Sequence, residues 1–325
     1  MKNLLLCLLG MLCIKTNAGN DSLYKNPIIS ESLPDPTVIY APNRCFYLYA
    51  TEDTKNIPIY KSSDLIGWEF VGTAFENESR PTFLEKGDLW APDINYINGK
   101  YVLYYTLSKW GELDKCGIGV AVSESPEGPF RDLGKLFTSE GIGVKNSIDQ
   151  FYFEDKGKKY IFWGSQYGIY GIELTDDGLA LKKNAKKKQI AGTFMEGTAI
   201  EKRNGYYYLF GSAGTCCRGK DSKYHIVYGR SNRLFGPYVT KDGKSLLNNN
   251  YEILLLGNDR VAGPGHQSRL LKDKKGSDWL IYHGYLKDSP QKGRLVFMDK
   301  IEWIDDWPYI KNSEPSTISE KPFVK

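Results

Sequence analysis

Polar and apolar positions along this chain alternate in short runs and do not follow the 3.6-residue rhythm of amphipathic helices. Five times, a turn of Gly, Asn, Asp or Lys opens onto a strand of aromatic and β-branched residues, at 43–49, 98–105, 156–163, 203–211 and 276–283. Each such strand is followed by a third apolar run, a loop and a fourth strand. Near the start of the fourth strand stand Gly67-Trp68, Gly128-Pro129-Phe130, Gly178, Gly236-Pro237-Tyr238 and Trp307-Pro308. Ahead of each aromatic strand lies one polar residue beside a proline, glycine or aromatic: Asp35, Asp93, Asp149, Glu196 and His266. These five recur at intervals of roughly 50–70 residues, a period that with four short strands per unit predicts propeller blades. The absence of any long helical period excludes an alternating α/β architecture. The expectation is an all-β chain with one five-bladed β-propeller over 19–325 and no second domain.

Periodicity then becomes chemistry. The first strand of a propeller blade lines the central channel, so the five polar residues are expected to converge on one funnel. Several carboxylates confined away from water cannot all ionise freely, and separated pKa values are what a general acid and a general base require. Prolines on both sides of Asp35 predict an extended backbone there. Gly197 next to Glu196 permits close backbone approach.

Composition narrows the partners. Of 325 residues, 41% are hydrophobic and 25% charged, enough for a large core. Aromatics reach 14%, with 23 Tyr and 7 Trp, which suits strands and also carbohydrate sites, because these rings pair an apolar face with a polar edge. A net charge of +4 is too small to argue for nucleic acid. The basic run 182–188 reads as a solvated loop or edge strand. Residues 1–18 read as a secretory signal, with Lys2, an apolar stretch over 4–14 and Thr16-Asn17-Ala18. That stretch is too short to span a membrane, so a secreted or periplasmic monomer is expected. The bulky Met11-Leu12 argue against a lipid anchor at Cys13. Cys45, Cys116, Cys216 and Cys217 show no zinc spacing, and the adjacent pair either forms a vicinal disulfide or stays free.

Six short motifs carry a resemblance. Pro34-Asp35-Pro36, Leu89-Trp90-Ala91-Pro92-Asp93, Asn146-Ser147-Ile148-Asp149, Glu196-Gly197, Gly263-Pro264-Gly265-His266 and Gly293-Arg294 stand in order at blade spacing. In this the chain resembles glycoside hydrolase family 43, five-bladed propeller glycosidases that act with inversion. The resemblance makes Asp35 the general base, Glu196 the general acid, and Asp149 the third carboxylate that orients the acid and raises its pKa. Inversion needs acid and base about 6.5–9.5 Å apart with room for a water. Asp35 and Glu196 sit two blades apart in a ring of five, which meets that need in topology. Arg294 matches a sugar-contacting arginine, while Trp90, Asp93, Asn146 and Ser147 are further substrate-binding candidates. His266 matches a position that helps hold a metal ion, commonly calcium, through water. A single histidine is a thin signal for an ion that takes six or more oxygens, and a water-bonded structural His is the other reading.

The pair Cys216-Cys217, followed by Ser222-Lys223-Tyr224 and Gly229-Arg230-Ser231, looks like the arabinan-cleaving branch, which implies α-1,5-linked L-arabinan as substrate. Gln150 and Thr198 depart from that branch's pattern and leave internal against terminal cleavage open. The loops after Trp110 and around Asn248-Asn249-Asn250 are expected to shape that choice. Two rival readings remain: an exo-acting α-L-arabinofuranosidase or β-xylosidase, and a non-catalytic glycan-binding propeller. His225 and His283 read as packing residues inside strands.

Overall fold

The computed structural model of the chain describes residues 22–324. The signal segment expected at 1–18, with Cys7 and Cys13, lies outside the described residues. Five antiparallel sheets follow one another along the chain. Blade one is built from Thr37–Tyr40, Phe46–Tyr49, Pro58–Ser62 and Glu69–Thr73. Blade two runs Asp88–Ile97, Lys100–Ser108, Gly117–Ser123 and Arg131–Thr138. Blade three contains Phe151–Asp155, Lys158–Ser165, Gly168–Glu173 and Lys188–Ala191. Blade four contains Met195–Arg203, Tyr206–Ala213, His225–Ser231 and Glu252–Leu255. Blade five has Val261–Gly265, Asp278–Leu286, Leu295–Ile304 and Trp307–Tyr309, with Leu271–Lys272 also paired to its second strand.

The aromatic runs are the second strands, and they are almost wholly buried. Their entry turns explain the sequence signal. Asn98-Gly99, Lys156-Gly157 and Asn204-Gly205 each place two consecutive residues at positive φ. That geometry matches the twist of a tight two-residue hairpin, and it pairs Ile97 with Lys100, Asp155 with Lys158 and Arg203 with Tyr206. Hydroxyls at the far end of the aromatic rings reach the neighbouring blade: Tyr104 donates to the Gly178 carbonyl at 2.7 Å, and Tyr208 to the Asp306 carbonyl at 2.6 Å. Each buried large side chain contributes about 1.5–3 kcal/mol, so packing between blades dominates stability.

The second signature is less uniform than the sequence implies. Gly67-Trp68 and Gly128-Pro129 precede the outer strands of blades one and two directly. In blades three and four, Gly178 and Gly236-Pro237 mark turns, and the outer strands come later, at Lys188–Ala191 and Glu252–Leu255. The basic run is exposed and leads into the first of these.

The blades are stitched around the axis by a backbone device. At the channel end of each first strand, one residue adopts positive φ: Asp35 at 53°, Ala91 at 43°, Asp149 at 59°, Gly197 at 62° and His266 at 46°. Each lies two residues before the position that pairs with the second strand, as Asp35 does with respect to Thr37↔Tyr49 and Asp149 with respect to Phe151↔Phe162. Their N–H groups turn sideways and donate to the second strand of the preceding blade. Ala91 reaches Thr51 Oγ1 at 2.8 Å, Asp149 reaches Thr106 Oγ1 at 3.1 Å, His266 reaches Ser212 Oγ at 2.8 Å, and Asp35 reaches His283 Nδ1 at 3.0 Å. In blade three the corresponding residue is Gly164, which has no side chain to offer. Gly197 N–H bonds instead to Asp149 Oδ2 at 3.1 Å.

Ring closure needs one more element. Leu23–Lys25 pairs with Ile318–Glu320, and Asn26 bonds Met298 of blade five in both directions, donating at 2.8 Å and accepting at 2.9 Å. The N-terminal lead-in thus runs along the last blade before the first begins. Ser212 is buried and carries one of the five ring bonds. Ser212→Ala is expected to lower the unfolding free energy by about 1–3 kcal/mol, read by urea unfolding. An unchanged midpoint would contradict the stitching role.

Candidate active site

The ring bonds collect three of the expected residues at one end of the channel. Asp35, Asp149 and His266 are themselves kink residues, so their side chains gather round the axis. Glu196 stands one residue before its kink, at Gly197. Asp93 stands two residues after its kink, at Ala91. The five positions taken as equivalent from the sequence are therefore not equivalent, because the kink that defines them falls on Ala91 and Gly197 in blades two and four. The proline pair around Asp35 does not hold it extended either: the bond to His283 and the side-chain bond to Thr51 fix it in the left-handed region. Such placement costs on the order of 1–3 kcal/mol for a residue that is not glycine.

Asp35 is the most heavily held carboxylate. Arg294 Nη1 donates to Oδ1 at 3.0 Å, and Thr51 Oγ1 donates to Oδ2 at 2.6 Å. His266 Nδ1 stands 3.3 Å from the same Oδ1. Burial opposes ionisation of Asp35, but Arg294 and then His266 outweigh it and hold the carboxyl well below its usual range. Asp149 has the opposite balance. Burial, Glu196 and Asp35 in turn push it well above the usual carboxylate range, against the lesser pull of the Gly197 N–H and Arg294. Glu196 is more exposed than either. Its Oε2 accepts from Ser165 at 2.7 Å and its Oε1 from the Tyr224 hydroxyl at 3.0 Å. Burial keeps both imidazoles below their usual range, His283 at about 4.

These groups open into a cavity of about 620 Å³. One rim carries Trp90 and Trp110, with ring centroids 6.0 Å apart, and Trp110 is 78% exposed. Cys216, Cys217 and Arg218, from the loop after the second strand of blade four, also line the space, as do Asn146 and Arg294. Both cysteines are free thiols. The loop after Trp110 shapes the cavity as expected. The stretch Asn248-Asn249-Asn250 does not: Asn249 Oδ1 takes the Thr193 N–H at 2.8 Å, outside the cavity lining.

Two substrate-binding candidates are corrected. Ser147 has no exposed surface; its hydroxyl donates to the Val144 carbonyl at 2.8 Å and accepts the Trp163 indole N–H at 3.0 Å. It holds the loop that presents Asn146. Asp93 is buried below the ring, bonded to the Tyr152 N–H at 2.6 Å and to Arg269 at 3.2 Å. That ion pair spans blades two and five and helps fill the channel under the cavity. His283, read as packing from its place in a strand, stands directly behind Asp35, and Tyr224, Thr51 and Ser165 join it as residues that the repeat did not mark. A register comparison of the second strands would have found Thr51 and His283, since both lie at the same place in their blades.

The expected calcium is one held through water, and the side chains around His266 offer it no direct ligand set among the described residues. Among the described residues no group of three His, Cys, Asp or Glu has metal-holding geometry. His266 Nδ1 faces Asp35 and Asp149, where the Arg294 guanidinium already supplies the positive charge.

A propeller whose axis ends in three carboxylates beside a tryptophan-rimmed cavity is built to cut sugar chains, and this protein is a glycoside hydrolase. Residues 24–308 match the profile of glycosyl hydrolases family 43, and the chain belongs to that family. It is 34% identical over 294 residues to the extracellular endo-α-(1→5)-L-arabinanase 1 of Bacillus subtilis, covering 86% of this chain and 88% of that protein. It is 31% identical over 306 residues to the extracellular exo-α-(1→5)-L-arabinofuranosidase ArbA of Cellvibrio japonicus, covering 85% and 86%. Among solved structures, the Cellvibrio cellulosa α-L-arabinanase complexed with arabinohexaose superposes with a TM-score of 0.79 at 29% identity, covering 87% of this chain and 96% of that one. Among the described residues no helix is long and apolar enough to cross a membrane.

The carboxylate balance makes a stability prediction. Asp149 has a folded-state pKa raised above its unfolded value of about 3.9, so above that pH unfolding releases a proton and the group destabilises the fold. Asparagine keeps an acceptor for the Gly197 N–H without the charge. Asp149→Asn is expected to melt higher than the wild type at pH 7, with the gain shrinking as pH falls towards 4. Equal melting temperatures at pH 7 would contradict the raised pKa.

Proposed function

We propose that this enzyme hydrolyses α-1,5-linked L-arabinan with inversion, Asp35 acting as general base and Glu196 as general acid. The observation that carries this reading is the unequal treatment of the carboxylates. Asp35 is kept as an anion chiefly by the Arg294 guanidinium, the state a base needs to take a proton from the attacking water. Glu196 lines the cavity from a wall two blades away, held at both oxygens by hydroxyls, where it delivers a proton to the leaving glycosidic oxygen. Asp149 stands on the blade next to Glu196, more deeply buried, and its reluctance to ionise keeps a proton on that side of the site. Arg294, on Asp35, lines the same space and is placed to contact the sugar. Trp90 and Trp110 offer apolar faces on which furanose rings can stack.

The substrate assignment is supported by relatives of both cleavage modes. The internal-cutting reading follows the Bacillus subtilis enzyme, and the Cellvibrio japonicus exo-enzyme, nearly as similar, favours release from chain ends as the second reading. Products from linear arabinan, debranched arabinan and arabinoxylan separate them. Mixed arabino-oligosaccharides are expected from the first two substrates. Arabinose or xylose alone would place the enzyme among the exo-glycosidases. Glu196→Ala is expected to lower kcat by about 10²–10⁴-fold, and a variant within a few-fold of wild type would remove Glu196 from its role. Binding without any product from the wild type would favour the glycan-binding reading.

A further inference from the structure

Asp35 owes its position to a side chain that takes no part in the proposed chemistry. Its N–H donates to His283 Nδ1 at 3.0 Å, and that nitrogen also stands 3.3 Å from Asp35 Oδ1. In three other blades the same ring bond is accepted by a hydroxyl, from Thr51, Thr106 or Ser212. A hydroxyl would satisfy the N–H equally well. What the imidazole adds is a flat ring, 1% exposed, and a neighbour stacked on it. The Tyr224 ring lies over His283 with centroids 5.9 Å apart and 12° between planes. The hydroxyl of that same tyrosine holds Glu196 Oε1 at 3.0 Å.

The space for this stack is made by a glycine. A Cβ on Gly265 would stand 2.1 Å from Tyr224 Cδ1, so only glycine lets the phenol pass the end of blade five and reach Glu196. Gly263, at φ 60°, likewise lies against Ser222 and Tyr224. Gly265 of Gly263-Pro264-Gly265 therefore serves the stack, and Gly263 makes room for Ser222.

We propose that His283 and Tyr224 form one stacked spacer that sets the base and the acid relative to each other. One end fixes Asp35 through its backbone, and the other fixes Glu196 through its carboxylate. His283 is a positioning residue in this scheme, acting through Asp35. The proposal rests on the reading of Asp35 and Glu196 as base and acid. A misplacement of about 1 Å in such a pair lowers turnover on the order of 10²-fold, while sugar binding by the rims is left intact.

The test is steady-state kinetics on linear arabinan or its oligosaccharides with His283→Leu, His283→Asn, Tyr224→Phe and the His283→Leu/Tyr224→Phe double variant, each checked for folding by circular dichroism. Leucine fills the volume without an acceptor, and asparagine restores an acceptor one bond from Cγ, where Nδ1 stands. His283→Leu is expected to lose on the order of 10²-fold in kcat with KM within about two-fold of wild type. His283→Asn is expected to recover at least about tenfold of that loss, and the double variant to lose little more than the worse single, as residues acting as one unit do. Leucine with unchanged kcat, asparagine no better than leucine, or multiplicative losses in the double variant would each overturn the proposal. If His283→Leu does not fold, His283→Asn and Tyr224→Phe decide: turnover within about tenfold of wild type in the first and a kcat loss at constant KM in the second are required. A wild type inactive on every arabinan would instead remove the acid–base reading on which the spacer depends.

Discussion

Five backbone N–H groups around one axis, each in need of an acceptor from the preceding blade, set the form of this protein. A strand entering a narrow channel must turn, and the turn at positive φ points its N–H out of its own sheet. Buried and unpaired, such a group would cost about 1–3 kcal/mol. Thr51, Thr106, Ser212 and His283 satisfy four of them from the second strands. The ring bonds thereby fix the angle between neighbouring blades and, with it, which side chains face the axis. The active site is the visible face of this ring, because three of the kink residues are Asp35, Asp149 and His266.

The one irregular step in the ring coincides with the chemistry. Between blades three and four, Gly164 cannot supply an acceptor, and the Gly197 N–H turns to the Asp149 carboxylate. Gly164 itself has no room for a side chain, since a Cβ would meet the Gly168 carbonyl oxygen at 2.1 Å. Asp149 is thus held by the structural need of the next blade, buried beside Asp35 and Glu196. Three carboxylates then share a site with one guanidinium. Arg294 sits on Asp35, and the remaining negative charge is resisted most strongly at Asp149. Unequal acidity among chemically similar groups follows from geometry alone.

Much of this was legible in the sequence, for identifiable reasons. Blade number and strand order follow from turn chemistry and aromatic runs, which depend on local backbone preference and burial. Asp35, Asp149, Glu196, Arg294, Trp90 and Asn146 all line the cavity because short motifs at blade spacing mark the channel end of each blade. The errors share one physical origin. A left-handed kink one or two residues away changes which side chain faces the axis, so Asp93 and Ser147 fall among buried structural contacts. The outer strands of blades three and four were misplaced because a glycine turn there is followed by a longer loop. His283 was hidden by its surroundings: a histidine within an apolar strand reads as packing until the partner blade is in place.

In the proposed mechanism an ionised Asp35 and a proton-donating Glu196 work from walls two blades apart on a substrate that leaves room for water between them. The most direct test is proton NMR of the first product formed from an α-1,5-linked arabino-oligosaccharide, recorded before mutarotation. With inversion, the new reducing end appears first as the β-anomer. Initial release of the α-anomer would mean a covalent intermediate and two displacements, and would contradict it.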